Sequence, residues 1–122
     1  FIDDMAAAYG WADLAICRAG ALTVSELAAA GLPAILVPFP AAVDDHQTLN
    51  GGYLVAAGGA VLMPEKQLGH ERLGRVLAGL LADRDRLLDM ARRARGAARP
   101  EALAAIEQAL LEAGGLALEA AA

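Results

Sequence analysis

The first half of the chain alternates short, mainly apolar runs with longer stretches in which apolar residues recur every three or four positions. DLAIC (13–17), AILVP (34–38) and AVLM (60–63) are the short runs. Turn-forming residues bound them, and each predicts a buried strand. Helices are expected between them: about 3–10, opened by Asp3 and Asp4; about 21–30, closed by Gly31; and about 46–57. Gly51 and Gly52 weaken the last of these by up to ~1 kcal/mol each relative to alanine. Residues 38–45, PFPAAVDD, carry two prolines and predict a loop. From Gln67 onward the pattern is helical only. Leu73, Val76, Leu77, Leu80 and Leu81 form one stripe at helical spacing. DRDRLLDMARRAR predicts a second helix with a charged outer face, and Pro100 restarts a third, EALAAIEQALLEA. GGLALEAAA, 114–122, predicts a frayed or loosely docked end.

Strands that are apolar throughout and alternate with helices imply an α/β fold, a Rossmann-like parallel sheet flanked by helices on both faces. Three short strands are few for such a sheet, and a missing neighbour would leave an open edge that favours self-association. Parallel sheets bind ligands at the carboxyl ends of their strands. That singles out two loops, 18–23 and 38–46.

In the first loop, Gly20 permits a sharp turn and close approach to the main chain. The residues after it offer the unpaired N–H groups and the positive dipole end of a helix start, which suit a phosphate or diphosphate. Thr23 adds a hydroxyl donor. Glu26, one turn further in, could accept from two neighbouring hydroxyls, as on a ribose. The same residues also fit a capping box, in which Thr23 caps the helix and Glu26 reaches back to it. The two alternatives differ in where the helix begins: at Val24 for the box, nearer Ala21 with Glu26 free for the ligand site. In the second loop, His46 and Gln47 offer neutral donors and acceptors suited to sugar hydroxyls, while Asp44 or Asp45 can cap the helix that follows.

Composition narrows the field. With 122 residues the chain makes one small domain, and 57% hydrophobic residues with 20% charged ones suffice for a buried core. Aromatics are only 4%, so Leu, Val, Ile and Ala must fill that core. A net charge of −5 disfavours nucleic acid as a partner, because phosphate tracking needs a basic face. No apolar run reaches the length of a bilayer span. Cys17 is the single cysteine, so no intrachain disulfide forms, as suits a reducing cytoplasm. At the end of a buried strand it is expected to be a small core residue. His46 and His70 are the only histidines, so no zinc set at the usual spacing is expected. RRAR, 92–95, is expected on a solvated face, and Tyr9 and Trp11 as packing residues at a helix end. The chain opens at Phe1 without an initiator methionine, which suggests the interior of a longer protein.

FIDDMAAAYGWADLAICRAGALTVSELAAAGLPAILVPFP followed by DDHQTLNG resembles the C-terminal donor lobe of the MurG family, the bacterial glycosyltransferases that make lipid II for peptidoglycan. The R-x-G-A-L-T-x-x-E segment at 18–26 and the D-x-x-Q-x-x-N segment at 44–50 carry the likeness. The resemblance implies a GT-B enzyme with two Rossmann-like lobes. Such an enzyme transfers N-acetylglucosamine, with inversion, from UDP-GlcNAc to a lipid-linked muramyl pentapeptide, converting lipid I to lipid II. It implies that residues 1–100 are a partial UDP-sugar donor-binding lobe and 101–122 a C-terminal helix and tail. Carried over, Ile2 would line the uracil pocket. Gly20, Ala21, Leu22 and Thr23 would meet the diphosphate, and Glu26 would hold the ribose hydroxyls. His46 and Gln47 would read the sugar, and Val24 and Ser25 belong to the same motif. No metal or cofactor is implied. The enzyme so implied sits peripherally on the cytoplasmic face of the inner membrane.

The resemblance covers about the last third of such an enzyme. The acceptor lobe and its catalytic base are not in this stretch, so no catalytic residue is expected here, and the fragment should be inactive alone. The alternative is a donor-binding subunit or module of a split UDP-sugar glycosyltransferase that needs a partner chain.

Overall fold

The computed structural model describes residues 1–41 and 43–114. The expected frayed segment therefore lies outside the described residues, apart from Gly114. The elements run α1 (Met5–Trp11), β1 (Ala15–Cys17), α2 (Ala21–Ala30), β2 (Ala34–Leu36), α3 (His46–Ala57), β3 (Ala60–Leu62), α4 (His70–Ala82), α5 (Arg84–Gly96) and α6 (Ala102–Gly114). Short 3₁₀ turns cover Val43–Asp45 and Glu65–Gln67.

The α/β expectation holds. The three strands form one parallel sheet in the order β1-β2-β3, with Ile16 beside Ile35 and Ile35 beside Val61. Each strand is shorter than its apolar run, because the ladder ends where the neighbours diverge. Single bonds continue past it, from Val37 N–H to the Cys17 carbonyl and from Met63 N–H to the Leu36 carbonyl, both 2.8 Å. Helices α2 and α3 begin and end as expected. Helix α1 starts two residues later than expected, because the Asp4 carboxylate accepts from Ala7 N–H at 2.9 Å and so caps it. Asp83 likewise caps α5 through Arg86 N–H at 3.0 Å.

Strand β2 is buried along its whole length, and its alternation splits the core in two. Ala34 and Leu36 face one way, against Val24, Leu27 and Ala28 of α2 and Leu54 of α3. Ile35 faces the other way, against Met63, Leu80 of α4 and Met90 of α5. Helix α5 serves both halves, since its Ala94 joins the first cluster one turn after Met90 joins the second. Burying a side chain such as Leu27 or Leu54 stabilises the fold by about 1.5–3 kcal/mol. Strand β1 lies at a sheet edge with Ile16 48% exposed. Trp11 differs from expectation: at 87% exposure it packs little, whereas Tyr9 lies against the first cluster. Cys17 is half-buried against the same cluster, and burial pushes its thiol pKa up.

Small residues let the layers approach closely. A Cβ on Gly59 would stand 2.8 Å from both Cα and Cβ of Ala94 and 2.9 Å from its backbone nitrogen. These are largely backbone atoms of α5 and cannot swing aside. Gly59→Ala is therefore expected to destabilise the chain by about 1–3 kcal/mol through overpacking, measured by urea unfolding. A stability change near zero would show that α5 is not held against this turn.

Candidate functional site

Both loops singled out above lie at the carboxyl end of the sheet, where the backbone turns from strand into helix. After β1, Gly20 takes an extended conformation (φ −62°, ψ 148°) and caps α2 without any side-chain hydrogen bond. The first bond of the helix runs from Val24 N–H to the Gly20 carbonyl at 2.9 Å. The N–H groups of Ala21, Leu22 and Thr23 therefore precede the ladder, at the positive end of a ten-residue helix. This start excludes the capping box, which needs Thr23 outside the helix. Thr23 is the third helical residue, with its Oγ1 facing Gly20.

The side chains of this turn go different ways. Ala21 and Leu22 are exposed. Val24 is buried in the core, so its side chain anchors the turn from below. Ser25 Oγ donates back to the Ala21 carbonyl at 3.0 Å, a bond within the helix. Glu26 does not reach back. Its Oε2 accepts from the Tyr9 hydroxyl at 2.7 Å, across the junction of α1 and α2. Met5, Tyr9, Glu26 and Ala29 border a groove of about 450 Å³ there. The Tyr9 phenol is pushed up to about 12, by burial first and then by its hydrogen bond to Glu26 and the charge of that carboxylate. Ile2 stands exposed ahead of α1 and does not line this groove.

The second loop closes on the first. Asp44 and Asp45 both adopt left-handed backbone (φ 54° and 55°), which turns the chain sharply into α3. Aspartate visits that region more readily than most residues. Asp45 holds the N-cap position, yet its Oδ1 accepts from the Thr48 hydroxyl at 2.7 Å and caps no backbone N–H. His46 is exposed, with Nε2 4.0 Å from an Asp44 carboxylate oxygen. Gln47 turns inward. Its Oε1 accepts from Phe39 N–H at 2.8 Å and from Ala19 N–H at 3.2 Å, so one side-chain oxygen ties the two loops together. One turn later Asn50 Nδ2 donates to the Ala19 carbonyl at 3.3 Å. The next residue, Gly51, lets the helix pack closely: a Cβ there would stand 2.9 Å from Leu62 Cδ1 and 3.3 Å from Ala19 Cβ, so both would have to give way. Arg18 adds a second tie, pairing with Glu65 at 2.9 Å, donating to the Pro38 carbonyl at 3.4 Å and lying over the Phe39 ring.

Gln47 thus has a structural duty that its residue type did not announce, and Tyr9, Arg18 and Asn50 join the site as residues not assigned from sequence. The Gln47–Asn50 spacing was a usable signal, since residues three apart on a helix share a face. Nothing local marked Tyr9, whose partner is seventeen positions away. The arrangement presents backbone donors for an anion and, one turn along, a carboxylate that accepts hydroxyls. Among the described residues there is no group of three side chains fit to hold a metal ion.

Comparison with known proteins places this architecture. The model of the glycosyltransferase family 28 C-terminal domain matches residues 1–108, and the chain belongs to that family. Two relatives carry the name UDP-N-acetylglucosamine–N-acetylmuramyl-(pentapeptide) pyrophosphoryl-undecaprenol N-acetylglucosamine transferase. The one from Marinobacter nauticus is 61% identical over 93% of this chain, and the one from Methylococcus capsulatus 60% over 94%. The crystal structure of Acinetobacter baumannii MurG superposes with a TM-score of 0.85 at 45% identity, over 92% of this chain. The chain spans 31–32% of the length of these proteins.

Two outcomes test the geometry. Gln47→Ala leaves the amides of Ala19 and Phe39 without their acceptor, and is expected to cost about 1–3 kcal/mol in urea unfolding with no ligand present. An unchanged midpoint would remove the clamp. The folded Tyr9 phenol holds its proton more tightly than the unfolded one, which titrates near 10. Its contribution is therefore complete below about pH 10 and is lost as pH rises toward 12. Tyrosinate absorbance should show one late-titrating phenol, and Tyr9→Phe should abolish that step.

Proposed function

We propose that this chain is the UDP-GlcNAc-binding part of an inverting N-acetylglucosaminyltransferase that converts lipid I to lipid II in peptidoglycan synthesis. The observation that carries the proposal is the uncapped start of α2 at Gly20, with Glu26 one turn further along. The names and identities of the relatives agree with it. Gly20 lets the diphosphate approach the backbone, and the N–H groups of Ala21, Leu22 and Thr23 donate to it, with the Thr23 hydroxyl beside them. Glu26 accepts from the ribose hydroxyls. Ile2 supplies an apolar contact for uracil. His46 reads the sugar together with Gln47, which acts through its Nε2 because Oε1 is committed to two backbone amides.

The mechanism follows from where charge develops. As the glycosidic bond to the diphosphate breaks, UDP leaves with added negative charge. Donors already fixed toward that charge stabilise it without reorganising, and fixed donors are the strongest electrostatic aid a site of this kind offers. The clamp on Ala19 keeps them fixed. Val24 and Ser25 support the turn from inside the core and inside the helix. The lipid-linked muramyl pentapeptide and the base that activates its hydroxyl belong to the part of the relatives' length that this chain does not span. Among the described residues no helix is long and apolar enough to cross a membrane. We place the parent enzyme peripherally on the cytoplasmic face of the membrane that holds its lipid substrate.

Thermal melting in the presence of UDP-GlcNAc, UDP-glucose and GDP-sugars tests this reading. UDP-GlcNAc at a hundred times its dissociation constant is expected to stabilise the chain by about 2.7 kcal/mol. Glu26→Ala should weaken binding about 10- to 100-fold, the worth of hydrogen bonds to a charged group. A folded chain that no uridine nucleotide stabilises would overturn it.

A further inference from the structure

Glu26 has a flexible side chain with three rotatable bonds, and a carboxylate that is to grip two hydroxyls gains from being fixed beforehand. Among the described residues one hydrogen bond holds it. The Tyr9 hydroxyl donates to Oε2 at 2.7 Å, while Oε1 carries no hydrogen bond from another described residue. Tyr9 suits the task. Its ring packs against the first core cluster, beside α2, and that contact orients the hydroxyl. A phenol stays protonated, and so a donor, throughout the neutral range. Helix α1 has no buried residue of its own, so this hydrogen bond is a specific link between an otherwise lightly held helix and the carboxylate. A carboxylate offers about four lone-pair sites, and Tyr9 fills one, leaving acceptors on both oxygens for vicinal hydroxyls.

We infer that Tyr9 is a positioning residue that sets the Glu26 carboxylate for the ribose 2′- and 3′-hydroxyls, and so governs discrimination between ribonucleotide and deoxyribonucleotide donors. This rests on the reading of Glu26 as the ribose acceptor. It gives α1 a part in substrate choice through that carboxylate.

The test is calorimetric titration of the full chain with UDP and with 2′-deoxy-UDP. The unsubstituted chain should prefer UDP. Tyr9→Phe keeps the ring and removes only the hydroxyl. It should weaken UDP about three- to tenfold, the effect of leaving one side chain to be ordered on binding, while the affinity for 2′-deoxy-UDP falls by much less. In a Glu26→Ala background, Tyr9→Phe should have no further effect on either ligand. An equal loss for both ligands would make Tyr9 a merely structural residue and overturn the inference. So would an unchanged preference for UDP, or a Tyr9→Phe chain that no longer folds. Failure of the unsubstituted chain to bind UDP would instead overturn the reading of Glu26 itself, and this inference with it.

Discussion

Both backbone polar groups of Ala19 are held by side chains of one helix, and the rest of the site depends on that. Ala19 is fully buried, so its N–H and C=O must find partners inside the protein. Gln47 takes the first and Asn50 the second, from successive turns of α3. Gly20 follows directly and caps α2. The direction in which α2 presents its free amides is therefore set by a helix that comes later in the chain. Because Gln47 Oε1 also holds Phe39, the loops after β1 and β2 cannot shift independently. An anion site made of backbone donors has no long side chains to adjust, and it works only if the backbone is held in this way.

Small residues make that geometry possible. Gly51 lets α3 descend onto Ala19 and Leu62, and Gly59 lets α5 descend onto the turn before β3. The alanine-rich composition is thus a packing requirement as well as a helix preference. A larger side chain at Gly59 would push α5 from that turn, and one at Gly51 would press α3 away from Ala19, which Gln47 and Asn50 hold. The charged groups sit outside this frame. Arg93 pairs with Asp89 on the solvated face of α5, in keeping with the reading of RRAR, although Ala94 between those arginines is wholly buried.

Much of the fold was legible because it follows from periodicity. The apolar runs gave the three strands, and their alternation with helices gave a parallel sheet. The ends of α2 and α3 were marked by glycine and by the loop prolines. The start of α2 was the informative ambiguity. Thr23-Val24-Ser25-Glu26 satisfies a capping box locally, but the helix takes Gly20 as its cap and has Thr23 already as its third residue, with Val24 and Leu27 in the core. The α1–α2 link and the Ala19 clamp were less legible, because each joins residues seventeen or more positions apart. A packing role for Tyr9 describes its ring and omits its hydroxyl. Gln47 was noticed for its chemistry but not for the backbone it supports. Trp11 was misjudged because nothing in its neighbourhood reveals that β1 lies at an edge.

The strand order has a kinetic meaning. Each strand pairs with the next one along the chain, Ala15 with Ala34 and Ala34 with Ala60, so no pairing waits for a distant segment to arrive. Closing loops of this modest length keeps the entropic penalty of each pairing small, although parallel pairing is intrinsically slow to form. The side chains that tie the two loops and Glu26 in place, from Tyr9 to Glu65, lie within one continuous stretch. A chain emerging from the ribosome would thus hold every side chain of those ties before α4, α5 and α6 were synthesised, and would wait only for α5 to close over them.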